Sequence, residues 1–296
     1  MTRGATRTFA GADGNRLVAT VHEAGMPWVM LMHGGGQTRH AFAGTARDLA
    51  RDGFSTVTVD QRGHGDSDWA PDGNYKSVAM AADVLAVARV LRAESGQSPV
   101  VVGASMGGIA SLLASSIEPA LIAALVLVDV TPSIREDGVA RIVGFMREHA
   151  ETGFATVEEA ADAIAAYLPH RPRPKSLDGL RKNLRHRADG RWYWHWDPRF
   201  LDHANRFDPD AGDVVERLRD AARALRVPSL LVRGASSELV SPEQAREFLD
   251  LAPGSAFVDV ADARHMVAGD KNDVFTRAIV DFVERHFRPG VAPARG

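Results

Sequence analysis

Ser105 stands in Gly103-Ala104-Ser105-Met106-Gly107, directly after the apolar run Val100-Val101-Val102 and before the small-residue stretch Gly108-Ile109-Ala110. Strand, one-residue hinge and helix form the setting that makes Gly-x-Ser-x-Gly a nucleophile elbow and not an ordinary turn. In that setting the serine adopts a strained backbone angle that points its hydroxyl outward. The flanking glycines keep Cβ atoms away from the place where strand and helix nearly collide. The helix N-terminus adds unpaired N–H groups and the positive end of its dipole beside the oxygen.

A serine hydroxyl is a weak nucleophile at neutral pH. It needs a base, and the base needs an orienting carboxylate. The loop after the last apolar strand supplies His265, and the loop after the strand before it supplies Glu238, in Gly234-Ala235-Ser236-Ser237-Glu238. The chain order Ser, Glu, His is the one expected beside a nucleophile elbow. The turn His33-Gly34-Gly35-Gly36 lets a ligand oxygen approach the backbone, so the N–H groups of Gly35 and Met106 are expected to form an oxyanion hole. His64 is a weak candidate, since nothing after it supplies a nucleophile or metal partner. Asp60 and Arg62 read as a structural ion pair holding the loop that contains them.

These groups need a scaffold, and the hydropathy pattern describes one. Residues 7–23 read as a hairpin around the turn Ala12-Asp13-Gly14-Asn15. Short apolar runs at 28–32, 54–60, 100–104, 123–128, 227–234 and 256–260 suit buried strands. Helical spacing occupies 41–52, 78–91, the stretch after the elbow, 242–251 with Ser241 as N-cap, and a final helix carrying Val274 to Val283. Strand and helix alternate, which gives a mostly parallel sheet with helices on both faces.

The rhythm breaks between about Thr131 and Leu225, where only helical segments with Pro- and Arg-rich connections are expected. Residues 170–191 hold eight Lys and Arg (171, 173, 175, 181, 182, 185, 187 and 191). Leu177, Leu180 and Leu184 then predict an amphipathic helix with a solvated basic face. The aromatic run Trp192-Tyr193-Trp194-His195-Trp196 follows. It is expected both to pin the insertion to the main domain and to wall an apolar pocket, with Gly36, Trp192, Trp194 and Trp196 lining it.

Composition bounds the function. A chain of 296 residues, 45% hydrophobic, can bury one large core plus an insertion. A net charge of −3 argues against nucleic acid or an anionic membrane as the main partner. The absence of cysteine removes disulfides, thiolate metal sites and a cysteine nucleophile. No run approaches transmembrane length and the N-terminus lacks an apolar leader pattern, so a cytoplasmic protein is expected. A homodimer is compatible with the sequence. No metal or organic cofactor is expected, since no ligand spacing such as His-Glu-x-x-His occurs.

Taken together, the His33-Gly34 turn, Asp60-x-Arg62-Gly63-His64-Gly65-x-Ser67, Gly103-x-Ser105-Met106-Gly107-Gly108 and His265 resemble the α/β-hydrolase fold superfamily over nearly the whole chain. The resemblance is to small esterases, lactonases, carbon–carbon bond hydrolases and cofactor-free haloperoxidases with a helical cap. It implies an eight-stranded, mostly parallel sheet, with a core formed by residues 1–130 and 226–288, a helical cap at 131–225 and a flexible tail at 289–296. It also implies a serine hydrolase acting on a small, largely apolar ester or lactone through an acyl-enzyme. A carbon–carbon bond hydrolase and a slow-turnover ligand-binding receptor are the alternatives. The family usually places an Asp where this chain has Ser237, which is why Glu238 is taken as the acid. Asp129, at the end of the strand after the elbow, is the rival, because some relatives draw their acid from there.

Overall fold

The computed structural model describes residues 4–169, 176–202, 214–261, 263 and 272–287. An antiparallel hairpin of β1 (Ala5–Ala10) and β2 (Arg16–His22) leads into β3 (Gly25–Met32), α1 (Ala43–Arg51), β4 (Phe54–Val59) and α2 (Ser77–Ser95). The elbow joins β5 (Val100–Ala104) to α3 (Met106–Ile117), and β6 (Ala124–Val128) follows. The sheet resumes with β9 (Ser229–Gly234), α8 (Pro242–Leu251), β10 (Ala256–Val260) and α9 (Asn272–Phe287). The eight strands lie in the order β1-β2-β4-β3-β5-β6-β9-β10, and every pair from β4 onward is parallel.

The central strands are apolar on both sides because both sides are covered. Trp28, Met30 and Met32 of β3, Val101 of β5, and Leu125 and Leu127 of β6 enter one core cluster, together with residues of α2, α3 and α8. The alternate positions, Val29 and Leu31, Val100 and Val102, Val126 and Val128, enter a second cluster with residues of α1 and α9. A period of two thus divides each run between two helical layers. The α8 start is as expected, since Ser241 and Gln244 form a reciprocal capping box ahead of Pro242.

Parallel strands end on the same edge. The residues that follow β3, β4, β5, β6 and β9 are His33, Asp60, Ser105, Asp129 and Ala235, so five loops open side by side there. The registers bring them level: Met32 pairs with Gly103, Ala104 with Val128, and Val128 with Val232.

The segment between β6 and β9 holds α4 (Glu136–Glu148), α5 (Val157–Tyr167), a single helical turn α6 (Asp178–Arg181), a hairpin of β7 (Leu184–His186) and β8 (Trp192–Trp194), and α7 (Val214–Arg223). The hairpin corrects the sequence expectation. Leu184 does not continue a helix with Leu177 and Leu180. It sits opposite Trp194 in a strand pair, and the connection turns at Gly190 with φ of 78°. Arg171, Arg173 and Lys175 of the basic run lie outside the described residues.

Asp60 and Arg62 do not pair with each other, again unlike the expectation. Arg62, 2% exposed, donates from Nε at 2.6 Å and from Nη2 at 2.8 Å to the Asp83 carboxylate, and pairs with Asp13 at 2.8 Å. Asp83 also accepts from the Ala12 N–H at 2.9 Å, in the β1–β2 turn. Asp60 instead accepts from the Arg39 N–H and pairs with its guanidinium.

Gly107 is pressed against backbone with no room for a side chain. A Cβ there would lie 2.4 Å from the Met32 carbonyl oxygen and 2.7 Å from that of His33. Both are backbone atoms of a buried strand end, so neither can yield without moving β3. Gly107→Ala is therefore expected to destabilise the protein by at least roughly 1–3 kcal/mol, read as a lower urea midpoint. An unchanged midpoint would mean that β3 and α3 are less closely apposed.

Candidate active site

Ser105 occupies the hinge between β5 and α3 with φ of 47° and ψ of −117°. Among the described residues, Ser105 and Asp129 are the non-glycine residues with positive φ. Such backbone costs on the order of 1–3 kcal/mol and persists where its surroundings over-determine it. At Ser105 the surroundings are hydrogen bonds on both sides: its N–H donates to the Val128 carbonyl at 3.1 Å, and its carbonyl accepts from the Ile109 N–H at 2.9 Å. The Met106 N–H belongs to the unpaired first turn of α3.

The His33–Gly36 turn runs beside this hinge. A Cβ on Gly34 would come within 3.4 Å of the Ser105 Cβ. One on Gly35 would lie 3.5 Å from Phe200 and 3.8 Å from the Met106 sulfur, and one on Gly36 3.1 Å from Met146 and 3.4 Å from Trp196. The space around the turn is thus walled by thioether and aromatic groups.

Three buried histidines hold this turn and its neighbour. The His33 Nε2 accepts from the Gln61 N–H at 3.1 Å, so its Nδ1 carries the proton given to the Gly34 carbonyl at 2.8 Å. The His64 Nε2 accepts from the Gly36 N–H at 3.1 Å, and its Nδ1–H faces the Arg62 carbonyl at 3.1 Å. The His195 Nδ1 accepts from the Gly65 N–H at 2.7 Å, and its Nε2–H faces the Gly36 carbonyl at 3.2 Å. The backbone donors fix each tautomer.

Every ring nitrogen in this group is therefore used. None keeps a lone pair for a metal, although the rings stand only 5.3 and 5.8 Å apart. A second proton on any ring would set N–H against N–H. Burial, above all, holds His33 down to about 4 and His64 to about 3, and keeps His195 well below its ordinary value.

The two candidate acids differ in setting. The Asp129 carboxylate is 1% exposed at the end of β6. Its Oδ1 accepts from the Gly234 N–H at 3.1 Å and its Oδ2 from the Ser237 hydroxyl at 2.8 Å. Glu238 is partly exposed and pairs with Arg141 of α4 at 3.2 Å. Ser237, standing where an Asp was looked for, thus bridges to Asp129. His265 lies outside the described residues. Ala263, two positions before it, accepts from the Ser236 N–H at 2.9 Å, next to Ser237.

Of the three tryptophans, Trp196 reaches the glycine turn and stacks on Trp194 at 4.8 Å between ring centroids. Trp192 packs against His186 and beneath Arg181. His195 was not singled out in the sequence. Its neighbours Trp194 and Trp196 masked it, and its partners Gly36 and Gly65 lie 159 and 130 positions away.

A family model described as the alpha/beta hydrolase fold matches residues 27–271. The chain belongs to that family. Within it, the chain is 32% identical over 263 residues to esterase Rv0045c of Mycobacterium tuberculosis, covering 87% of this chain and 81% of that protein. It is 28% identical to 2-(acetamidomethylene)succinate hydrolase of Mesorhizobium japonicum, covering 92% and 94%. Among solved structures, an alpha/beta hydrolase from Novosphingobium aromaticivorans superposes with a TM-score of 0.79 at 26% identity, over 96% of this chain and 99% of that one. These relatives are hydrolases, and no described helix is long and apolar enough to cross a membrane.

The neutral imidazoles have a consequence for stability. The native pKa values lie below the unfolded value near 6.5, so the unfolded chain binds protons that the folded chain refuses. Their stabilising contribution is full above about pH 6.5 and is lost as pH falls toward 4. Melting temperature measured from pH 7 to pH 4.5 should fall steadily. A flat profile would mean that these rings take up protons in the fold as readily as in the unfolded chain.

Proposed function

We propose that the protein is a serine hydrolase acting on a carboxylic ester or lactone through an acyl-enzyme, with Ser105 as nucleophile and His265 as base. The observation that carries this reading is the Ser105 backbone, a strained hinge at the start of a helix on the edge where five loops meet. The Ser105 Oγ attacks the substrate carbonyl while His265 takes its proton. The N–H groups of Gly35 and Met106 stabilise the oxyanion, and His265 then protonates the leaving group and activates water for deacylation.

Asp129 is taken as the acid in preference to Glu238. What supports this is its burial, the two donors that fix its carboxylate, and the chain of contacts from Ser237 and Ser236 to Ala263. An orienting carboxylate must be held still and kept from water, whereas Glu238 faces Arg141 near the surface. Residues 131–225 are proposed to form a cap. Met106, Met146, Trp196 and Phe200 crowd the glycine turn, and this lining favours a small, largely apolar acyl group.

Ser105→Ala should lower kcat by about 10³-fold or more and abolish labelling by a fluorophosphonate, with the melting temperature retained. Turnover near the wild-type level in that variant would overturn the mechanism. For the acid, Asp129→Asn should reduce kcat by about 10²–10⁴-fold and Glu238→Gln by roughly tenfold or less. The reverse order would return the role to Glu238.

A further inference from the structure

Three successive peptide groups of the glycine turn are each gripped by a different imidazole. The 34–35 peptide is held at its carbonyl by His33, the 35–36 peptide at its N–H by His64, and the 36–37 peptide at its carbonyl by His195. In a trans peptide the N–H points opposite to the carbonyl, so the His33 bond sets the plane that carries the Gly35 N–H, and the other two hold the planes that follow it. His33 and His64 come from loops at the sheet edge. His195 comes from the segment inserted between β6 and β9, just after β8.

We propose that His195 is a positioning residue for the oxyanion hole, making the aim of the Gly35 N–H depend on the seating of the cap. The proposal rests on the reading of Gly35 as an oxyanion donor given above. Gly36 has φ of 74° and no side chain, so its peptide planes turn easily unless held from outside. His195 holds it through the carbonyl, and the adjacent Trp196 closes over the same residue. The ring is itself anchored, because its other nitrogen accepts from Gly65, in the loop after β4.

The same stretch of cap is fastened to that loop at further points, among them a hydrogen bond from the Tyr75 hydroxyl to the Asp197 carboxylate at 2.5 Å. The Asp197 N–H donates to the Gly63 carbonyl at 2.9 Å, and Arg185 pairs with Asp66 at 2.7 Å. Lifting the cap therefore withdraws one of the three grips on the turn. Seating it restores the donor geometry at the moment substrate is enclosed.

The test compares His195→Asn with His195→Gln in the full chain. The shorter amide can replace Nδ1 toward Gly65 but cannot reach the Gly36 carbonyl, whereas the longer one places a donor where Nε2 stood. Kinetics on p-nitrophenyl butyrate are paired with inhibition by a trifluoromethyl ketone, whose adduct with Ser105 carries an oxyanion, and by the matching methyl ketone as a ground-state mimic. His195→Asn should lower kcat about 10–100-fold with KM nearly unchanged. It should weaken the trifluoromethyl ketone by a similar factor and leave the methyl ketone unaffected. His195→Gln should recover kcat to within about threefold of wild type.

A KM effect with unchanged kcat, or equal losses for both ketones, would overturn the proposal and make His195 a wall of the pocket. Should the Asn variant not fold, amide hydrogen exchange on the wild type decides. Binding of the trifluoromethyl ketone should slow exchange at residues 34–37 and 183–197 together, and slowing at 34–37 alone would overturn the coupling. Failure of the serine mechanism itself is distinguishable, since the wild type would then react with neither the fluorophosphonate nor the trifluoromethyl ketone.

Discussion

The start of α3 lies against the end of β3 with no room for a side chain between them, and the candidate site depends on that contact. A helix that begins one residue after its strand ends must pass over the neighbouring strand terminus. Gly107 therefore meets the carbonyls of Met32 and His33. The constraint forces the bend onto Ser105, brings the first turn of α3 beside the glycine turn, and leaves the serine at the mouth of the sheet edge. A looser crossing would relieve the backbone at Ser105 and would also withdraw the Met106 N–H from the same place.

Around this crossing the chain buries polar atoms in two distinct ways. Beneath the glycine turn it uses neutral rings, each satisfied on both nitrogens by backbone, which hold geometry without adding charge of their own. Beside them, in the buried Arg39–Asp60 pair, and at the sheet margin it uses charge. Arg62 enters the interior only with the Asp83 carboxylate across two of its nitrogens and Asp13 at a third. Neutral imidazoles leave stabilisation of the developing negative charge to the backbone N–H groups.

Much of this was legible in the sequence. The central strands announced themselves because burial on both faces demands apolar runs such as Val100-Val101-Val102 and Leu125-Val126-Leu127-Val128, and the elbow because glycine is required where a strand and a helix almost touch. The Ser241 cap was equally local. The hairpin of β7 and β8 was misread because Leu177, Leu180 and Leu184 fit a helical period, although Asp189-Gly190 is a two-residue hairpin signal that outweighs it. Arg62 was given the wrong partner because proximity in sequence says little about ion pairs across a fold. The setting of Asp129 and the use of His195 depend on contacts made across more than a hundred positions, which no local pattern encodes.

The buried Arg62 also bears on how the sheet margin assembles. Its compensating groups come from the turn of the first hairpin and from α2, and Asp83 of α2 binds the backbone of that same turn. A hairpin paired one residue out of step would turn Phe9, the one buried side chain of β1, from the core toward solvent, so packing already opposes it. It would also carry Asp13 and Ala12 away from the guanidinium and Asp83, stripping the buried Arg62 of one of its two carboxylate partners. Electrostatics here acts as a proofreader, admitting one alignment of the edge strands and rejecting its neighbours.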